Sequence, residues 1–273
     1  MTTASRGRAR IGAMVGIAIA ALVVAAACSS PTEAPGTIYV TPTPGAITPL
    51  PSGVTPEPDT IPTVDNVIIS TDAPDKKWKV TFKKPVISGI SDAAMTKMND
   101  TITALVNGYI SDFTGSSLPT PAAGAAPSTL EGNYSIALRA PDVISLRFTM
   151  ITNVVGSAHP NGKPGSINMA VKTGAKINLS DLFTDPGISL PTIVTKTKAD
   201  LTKQLGTDLT WDGKASSLDF FGNAWVLTAD GLEFNFEQGK MASAAAGMPS
   251  TTLTWSSLKA LIKPTGPAGG FTR

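Results

Sequence analysis

A single cysteine, Cys28, and a single histidine, His159, are all that this chain offers of the two side chains most used as metal ligands, nucleophiles and bases. One thiol closes no disulfide within the chain, so the folded part must be held by its core. A structural zinc site needs three or four His, Cys or carboxylate ligands, and a Ser-His-Asp triad needs its serine on a shaped turn, yet no G-x-S-x-G elbow occurs. The expectation is therefore no catalytic residue, no metal and no cofactor, with His159 a turn residue whose ring bonds backbone. Residue types leave one enzyme reading open, a carboxylate pair drawn from Asp181, Asp219 and Glu233. No spacing recommends it.

Charge is scarce as well, at 15% of residues, and the 22 Lys+Arg nearly cancel the 20 Asp+Glu. Three of those cations, Arg6, Arg8 and Arg10, lie in a segment expected to be removed, which leaves 19 against 20. Nucleic acid, whose phosphates demand a concentrated positive surface, is not an expected partner.

What is present first is a basic start followed by an uncharged run from Ile11 to Ala27 that ends in three alanines before Cys28. This is the layout of a signal peptide over residues 1–27. The run is at the short limit for crossing a hydrocarbon core of ~30 Å. The first cation after Arg10 is Lys76, so no basic stop-transfer cluster follows. A retained transmembrane helix is the weaker reading. Cleavage after Ala27 makes Cys28 the mature N-terminus, in a context that resembles a lipobox with Ala25 where leucine is most usual. The thiol would then carry a diacylglycerol and the amine an acyl chain, and several chains anchor a protein stably where one does not. The chain is thus expected on the outer leaflet of the cell membrane, facing away from the cytoplasm. Ordinary secretion after Ala-Ala-Ala is the alternative.

From Ser29 to Asp65 the chain has nine prolines and eight threonines. Such a segment cannot bury enough apolar surface to fold, and in polyproline II form it would reach roughly 110 Å. Residues 28–66 are therefore read as lipidated cysteine plus spacer, 67–264 as a globular domain and 265–273 as a flexible tail.

Within the domain, Trp78, Val80 and Phe82 alternate with lysines and Thr81, the pattern of a strand. Ser91 or Asp92 opens a helix whose Met95, Met98, Ile102, Leu105, Val106, Ile110 and Phe113 recur at three- and four-residue spacing. Two long strands flank Pro141-Asp142, "INMAVKT" and "KINL" read as shorter ones, and "NAWVLTADGLEFNFEQ" reads as a hairpin about Asp230-Gly231. Leu190 to Leu205 reads as a second helix stopped by Gly206, with "TTLTW" and a short helix from Ser256 closing the fold. The class is α+β, a largely antiparallel sheet with two main helices packed on it.

The order of motifs from Gly156 to Phe183 carries a resemblance. Ala158-His159-Pro160, Ile167-Asn168, Thr173-Gly174 and Leu179-Ser180-Asp181-Leu182-Phe183, followed by "GLEFNFEQGKMASAAAGMP" and "TLTWSSLKALI", resemble the extracytoplasmic domain of RsiV-type anti-sigma factors. A family of secreted mycobacterial antigens shares it. The resemblance spans Tyr134 to Ile262, so residues 129–264 are the RsiV-like region and 67–128 the smaller region that usually precedes it. Ala170 departs from the family, where an acidic residue is common, and so does the loop from Lys240 to Gly247, which lacks a tyrosine near Ala244. Only ten residues precede the apolar run, too few for a cytoplasmic sigma-binding domain.

A lipid-anchored binding or sensing module for an envelope protein, glycan or lipid is the function expected, with the carboxylate enzyme as the alternative. Between Thr207 and Gln238 six acids face one cation, Lys214. On the expected hairpin Leu232, Phe234 and Phe236 share one face, and Glu233 and Glu237 fall together on the solvated one. Asp230, Glu233 and Glu237 are thus the candidate partner-binding residues. RsiV-type domains sense lysozyme, so the resemblance implies a basic envelope or host protein such as lysozyme as the partner.

The anchor is tested at Cys28. Cys28→Ala is expected to abolish metabolic lipid labelling and to move the chain out of the membrane fraction; a retained transmembrane helix would leave the variant in the membrane.

Overall fold

Residues 60–211, 218–222 and 224–272 are described by the computed structural model. Cys28, the apolar run and the spacer as far as Asp59 lie outside them, and among the described residues no helix is long and apolar enough to cross a membrane.

The first strand, β1 (Thr63–Asp72), begins inside the stretch expected to be spacer. It pairs antiparallel with β2 (Trp78–Ser88), the lysine-rich strand, in a register unbroken over ten residue pairs. α1 (Asp92–Thr114) then carries the chain across to β3 (Ser128–Arg139), which lies parallel to β2. A parallel neighbour requires such a crossover. β4 (Val143–Asn153) and β5 (Asn161–Ala170) follow as antiparallel neighbours, so the five strands lie in sequence order.

One face of this sheet takes α1. Met98, Ile102 and Val106, at helical spacing, pack with Phe82, Leu146, Phe148, Ile167 and Met169 in a first core. Gly174 closes the layer at the start of α1. Its φ is +63°, and a Cβ there would lie 2.5 Å from the Ala94 carbonyl oxygen, so the turn and the helix approach as only glycine permits.

The other face, over β3 to β5, takes a second sheet. β6 (Trp225–Leu227), β7 (Gly231–Asn235) and β8 (Ser250–Thr254) form an antiparallel meander, and β6 lies against β4 and β5. α2 (Pro186–Leu205) and α3 (Trp255–Leu258) complete a second core with Leu138, Val143, Ile193, Leu201, Leu232 and Phe234. The α+β class holds, with one parallel strand pair making the large sheet mixed.

A polar cluster joins the sheets. Ser145 and Asn168 are cross-strand partners on β4 and β5, and both are buried. The Ser145 hydroxyl donates to Asn168 Oδ1 at 2.6 Å, and Asn168 Nδ2 donates to the Trp225 carbonyl at 2.9 Å. The Leu227 N–H in turn reaches both Ser145 Oγ and Asn168 Oδ1 at 3.3 Å. The carboxamide therefore reads the backbone of β6 as a strand would.

Several boundaries differ from the sequence reading, each for a physical reason. α2 begins at Pro186, capped by Asp185, whose Oδ1 accepts from the Ile188 N–H at 3.1 Å. The helix read as opening at Leu190 is thus one turn longer at its start, and Pro191 lies inside it. β5 starts at Asn161 and runs through Gly162, Pro164 and Gly165, residues that an edge strand tolerates. "KINL" forms only a bridge from Met169 to Lys176, then a 3₁₀ turn, Leu179–Leu182, held by a capping box between Asn178 and Asp181. The C-terminal residues expected to be flexible are packed: Ala268 is 0% exposed, and the Phe271 ring stacks on Trp255 at 5.3 Å and 14°.

Candidate functional site

The edge of the large sheet, the outer flank of α1 and the segment after β7 enclose a cleft of about 450 Å³. Its walls include Tyr109 and Asp112 from α1, Lys163 from β5, Phe220, Glu237 and Lys240. Tyr109 comes to rest on the strand because residue 165 is glycine: a Cβ there would lie 2.1 Å from the tyrosine oxygen. Its ring stacks on Phe82 at 6.3 Å and 13° and meets Phe148 at 6.1 Å, so the side chain is fixed by the first core.

The opposite wall is fastened by Gln238. Its N–H donates to the Gly162 carbonyl at 3.0 Å, and its Oε1 accepts from the Gly162 N–H at 2.7 Å, extending the pairing edge of β5. Gln238 Nε2 donates to the Ala244 carbonyl at 2.8 Å, which ties down the loop beyond. The Lys240 ammonium stands 5.2 Å over the Phe220 ring, a cation–π arrangement at the cleft. The site thus presents aromatic surface with two lysines and two carboxylates. It suits a ligand group that has both an apolar body and charge.

The hydroxyl of Tyr109 is buried and has no hydrogen-bond partner among the described residues. Burial, and secondarily the Asp112 charge, pushes its pKa up from 10.0 to about 12.

The residues singled out by sequence lie elsewhere or in a different state. Glu233 does not face solvent. Its side chain is 16% exposed and accepts from the Arg147 guanidinium at 2.6 Å, a second link between the sheets. The alternation of β7 was read correctly, since Leu232, Phe234 and Phe236 are buried, but the opposite side of the strand meets β4 rather than water. Glu237 lies beyond the end of β7, half-buried in the cleft, and Asp230 is exposed in the turn between β6 and β7. The three acids therefore do not form one face. Asp181 is engaged in its capping box, so it and Glu233 belong to separate networks. Asp212, Lys214, the side chain of Asp219 and Cys28 lie outside what is described. His159 is exposed, its Nδ1 donating to the Pro160 carbonyl at 3.0 Å, as expected of a turn residue. Sequence reasoning did not find Tyr109, Asp112, Lys163 or Lys240. The one signal that could have marked the wall is the two glycines and the proline at the start of β5, which precede the stretch read as a strand from Ile167.

The raised Tyr109 pKa sets a pH dependence. Folding favours the neutral phenol, so its contribution is complete below pH 10, where the unfolded chain also keeps the proton, and is lost as pH rises through 12. Tyr109→Phe is expected to fall less steeply in thermal stability than the parent chain over that window. At neutral pH it should match or exceed the parent, since a buried donor without a partner is removed. A loss above about 1 kcal/mol at neutral pH would show that the hydroxyl has a partner.

No protein-family model and no curated protein matches the chain. Its fold is shared with solved structures. A member of the DUF3298 family from Bacteroides fragilis superposes with a TM-score of 0.53 at 14% identity, covering 78% of this chain and 97% of that one. A DUF3298 family protein from Pseudomonas aeruginosa gives a TM-score of 0.50 at 13% identity, covering 74% of this chain and 94% of that one. At such identities the likeness is one of fold, and the chain has the architecture of DUF3298 proteins.

Proposed function

We propose that the chain is an extracytoplasmic binding or sensing module, held on the membrane by lipid at Cys28, that uses its cleft to receive a partner and catalyses no reaction. The observation that carries this reading is the cleft itself, a concave site assembled from both sheets and walled by aromatic and charged side chains. The partner proposed is a basic envelope or host protein such as lysozyme. A projecting lysine or arginine from it would enter between Asp112 and Glu237 with its aliphatic stem against the aromatic wall. Asp230, exposed on the neighbouring turn, would add to the attraction at longer range. Glu233 has no part in this contact, because Arg147 already neutralises it.

The test is a titration of lysozyme onto the purified chain at low and moderate ionic strength, with Asp112→Lys/Glu237→Lys beside the parent. Binding should weaken with salt and fall by about tenfold or more on charge reversal, ~1.4 kcal/mol. No binding, or binding indifferent to both salt and reversal, removes lysozyme as the partner.

A further inference from the structure

The two edges of the large sheet are finished differently. β5 carries Gly162, Pro164 and Gly165, and Gln238 occupies part of its outer edge. Proline, irregular backbone and a covering segment are the usual means of preventing an edge from recruiting another strand. Among the described residues β1 has none of them. Its ten residues, TVDNVIISTD, include no proline, glycine or lysine, its register on β2 is unbroken, and no described strand lies outside it. Near its middle Val67 is 51% and Ile68 58% exposed, one on each face. Ile68 sits opposite Lys83 of β2 and borders, with Tyr134 and Ile151, a shallow hollow on the sheet face that α1 does not cover.

We propose that β1 is the pairing edge of a homodimer, in which two copies join antiparallel about a twofold axis through Ile68 to make one continuous sheet. The sequence of the strand selects this register. A twofold axis relating two antiparallel edge strands stands perpendicular to the sheet, so each face stays on its own side and only residues of equal parity meet. Asp65 and Asp72 differ in parity. They can never be set opposite one another, and the strand carries no other charge.

With the axis on Ile68, apolar meets apolar and polar meets polar over the central seven residues: Val67 faces Ile69, Asn66 faces Ser70, Asp65 faces Thr71, and Ile68 faces its own copy; the one mismatch, Val64 opposite Asp72, falls at the ends of the strand. Moving the axis to Val67 sets Asp65 against Ile69 and Asn66 against Ile68. Moving it to Ile69 sets Asn66 against Asp72 and Ile68 against Ser70. Directly opposed pairs are the unit of stabilisation between strands, so the Ile68 register is preferred over both neighbours. The Asp65 carbonyl already accepts from the Tyr134 hydroxyl at 3.0 Å, which holds this end of β1 in place without altering the register.

Disulfide trapping in the purified full chain tests the register. In Ile68→Cys the two introduced thiols face each other within disulfide reach, whereas in Ser70→Cys they stand four residue steps apart, about 13 Å, too far to bridge. The unsubstituted chain, which retains Cys28, is the blank. Mild oxidation should give covalent dimer at least about tenfold faster for Ile68→Cys than for Ser70→Cys. An equimolar mixture of Asn66→Cys and Ser70→Cys should cross-link while neither does so alone, which keeps the test open if Ile68→Cys folds poorly. Absence of dimer in both experiments, or equal rates at residues 68 and 70, overturns the proposal.

Discussion

Asn168 is a polar side chain, 2% exposed, placed between two sheets, and the placement of the second sheet depends on it. Burying a carboxamide is costly unless its hydrogen bonds are made. Here the partners are the Trp225 carbonyl, the Leu227 N–H and the Ser145 hydroxyl. Each bond contributes about 1 kcal/mol net, but losing the group would orphan the Trp225 carbonyl and the Ser145 hydroxyl at about 1–3 kcal/mol each and leave the Leu227 N–H with Ser145 Oγ alone. Apolar packing could let the small sheet slide on the large one. Directional bonds to two backbone groups of β6 cannot. The cleft inherits this constraint, because Tyr109, Asp112 and Lys163 belong to the large-sheet layer while Glu237 and Lys240 follow directly from the small one.

The motifs that carried the family resemblance acquire individual reasons. In Ile167-Asn168 the alternation of a strand sends the isoleucine into the core under α1 and the asparagine to the lock between the sheets. Thr173-Gly174 is a turn that only glycine lets approach α1. Leu179 to Phe183 is a capped 3₁₀ turn with Leu182 and Phe183 in the second core. These are requirements of architecture, and they agree with a likeness to DUF3298 structures that is one of fold.

Legibility followed period and composition. The α1 stripe, the β3–β4 hairpin and the β6–β7 hairpin were plain because their apolar residues repeat at one regular spacing. β1 was not, since TVDNVIISTD has adjacent aliphatics and no alternation, as befits an edge exposed on both faces. The acidic hairpin shows the sharper limit. Alternation correctly set Glu233 opposite Phe234, but only the docking of one sheet on another supplies Arg147, and no local pattern in β7 encodes a partner on β4. The cleft was illegible for the same reason: its residues come from α1, β5 and the loop after β7, and they meet only once both sheets are assembled.

The central claim is that Asn168 locks the small sheet to the large one, and amide hydrogen exchange in Asn168→Leu measures it directly. The substitution keeps the branching of the side chain at Cγ and removes its hydrogen bonds. Amides of β6, β7 and β8 and that of Gln238 should exchange about 30-fold faster or more, from a loss of ~2 kcal/mol, while those of β3 and β4 keep their protection. Unchanged protection in the small sheet, or an equal loss throughout both sheets, would contradict the account.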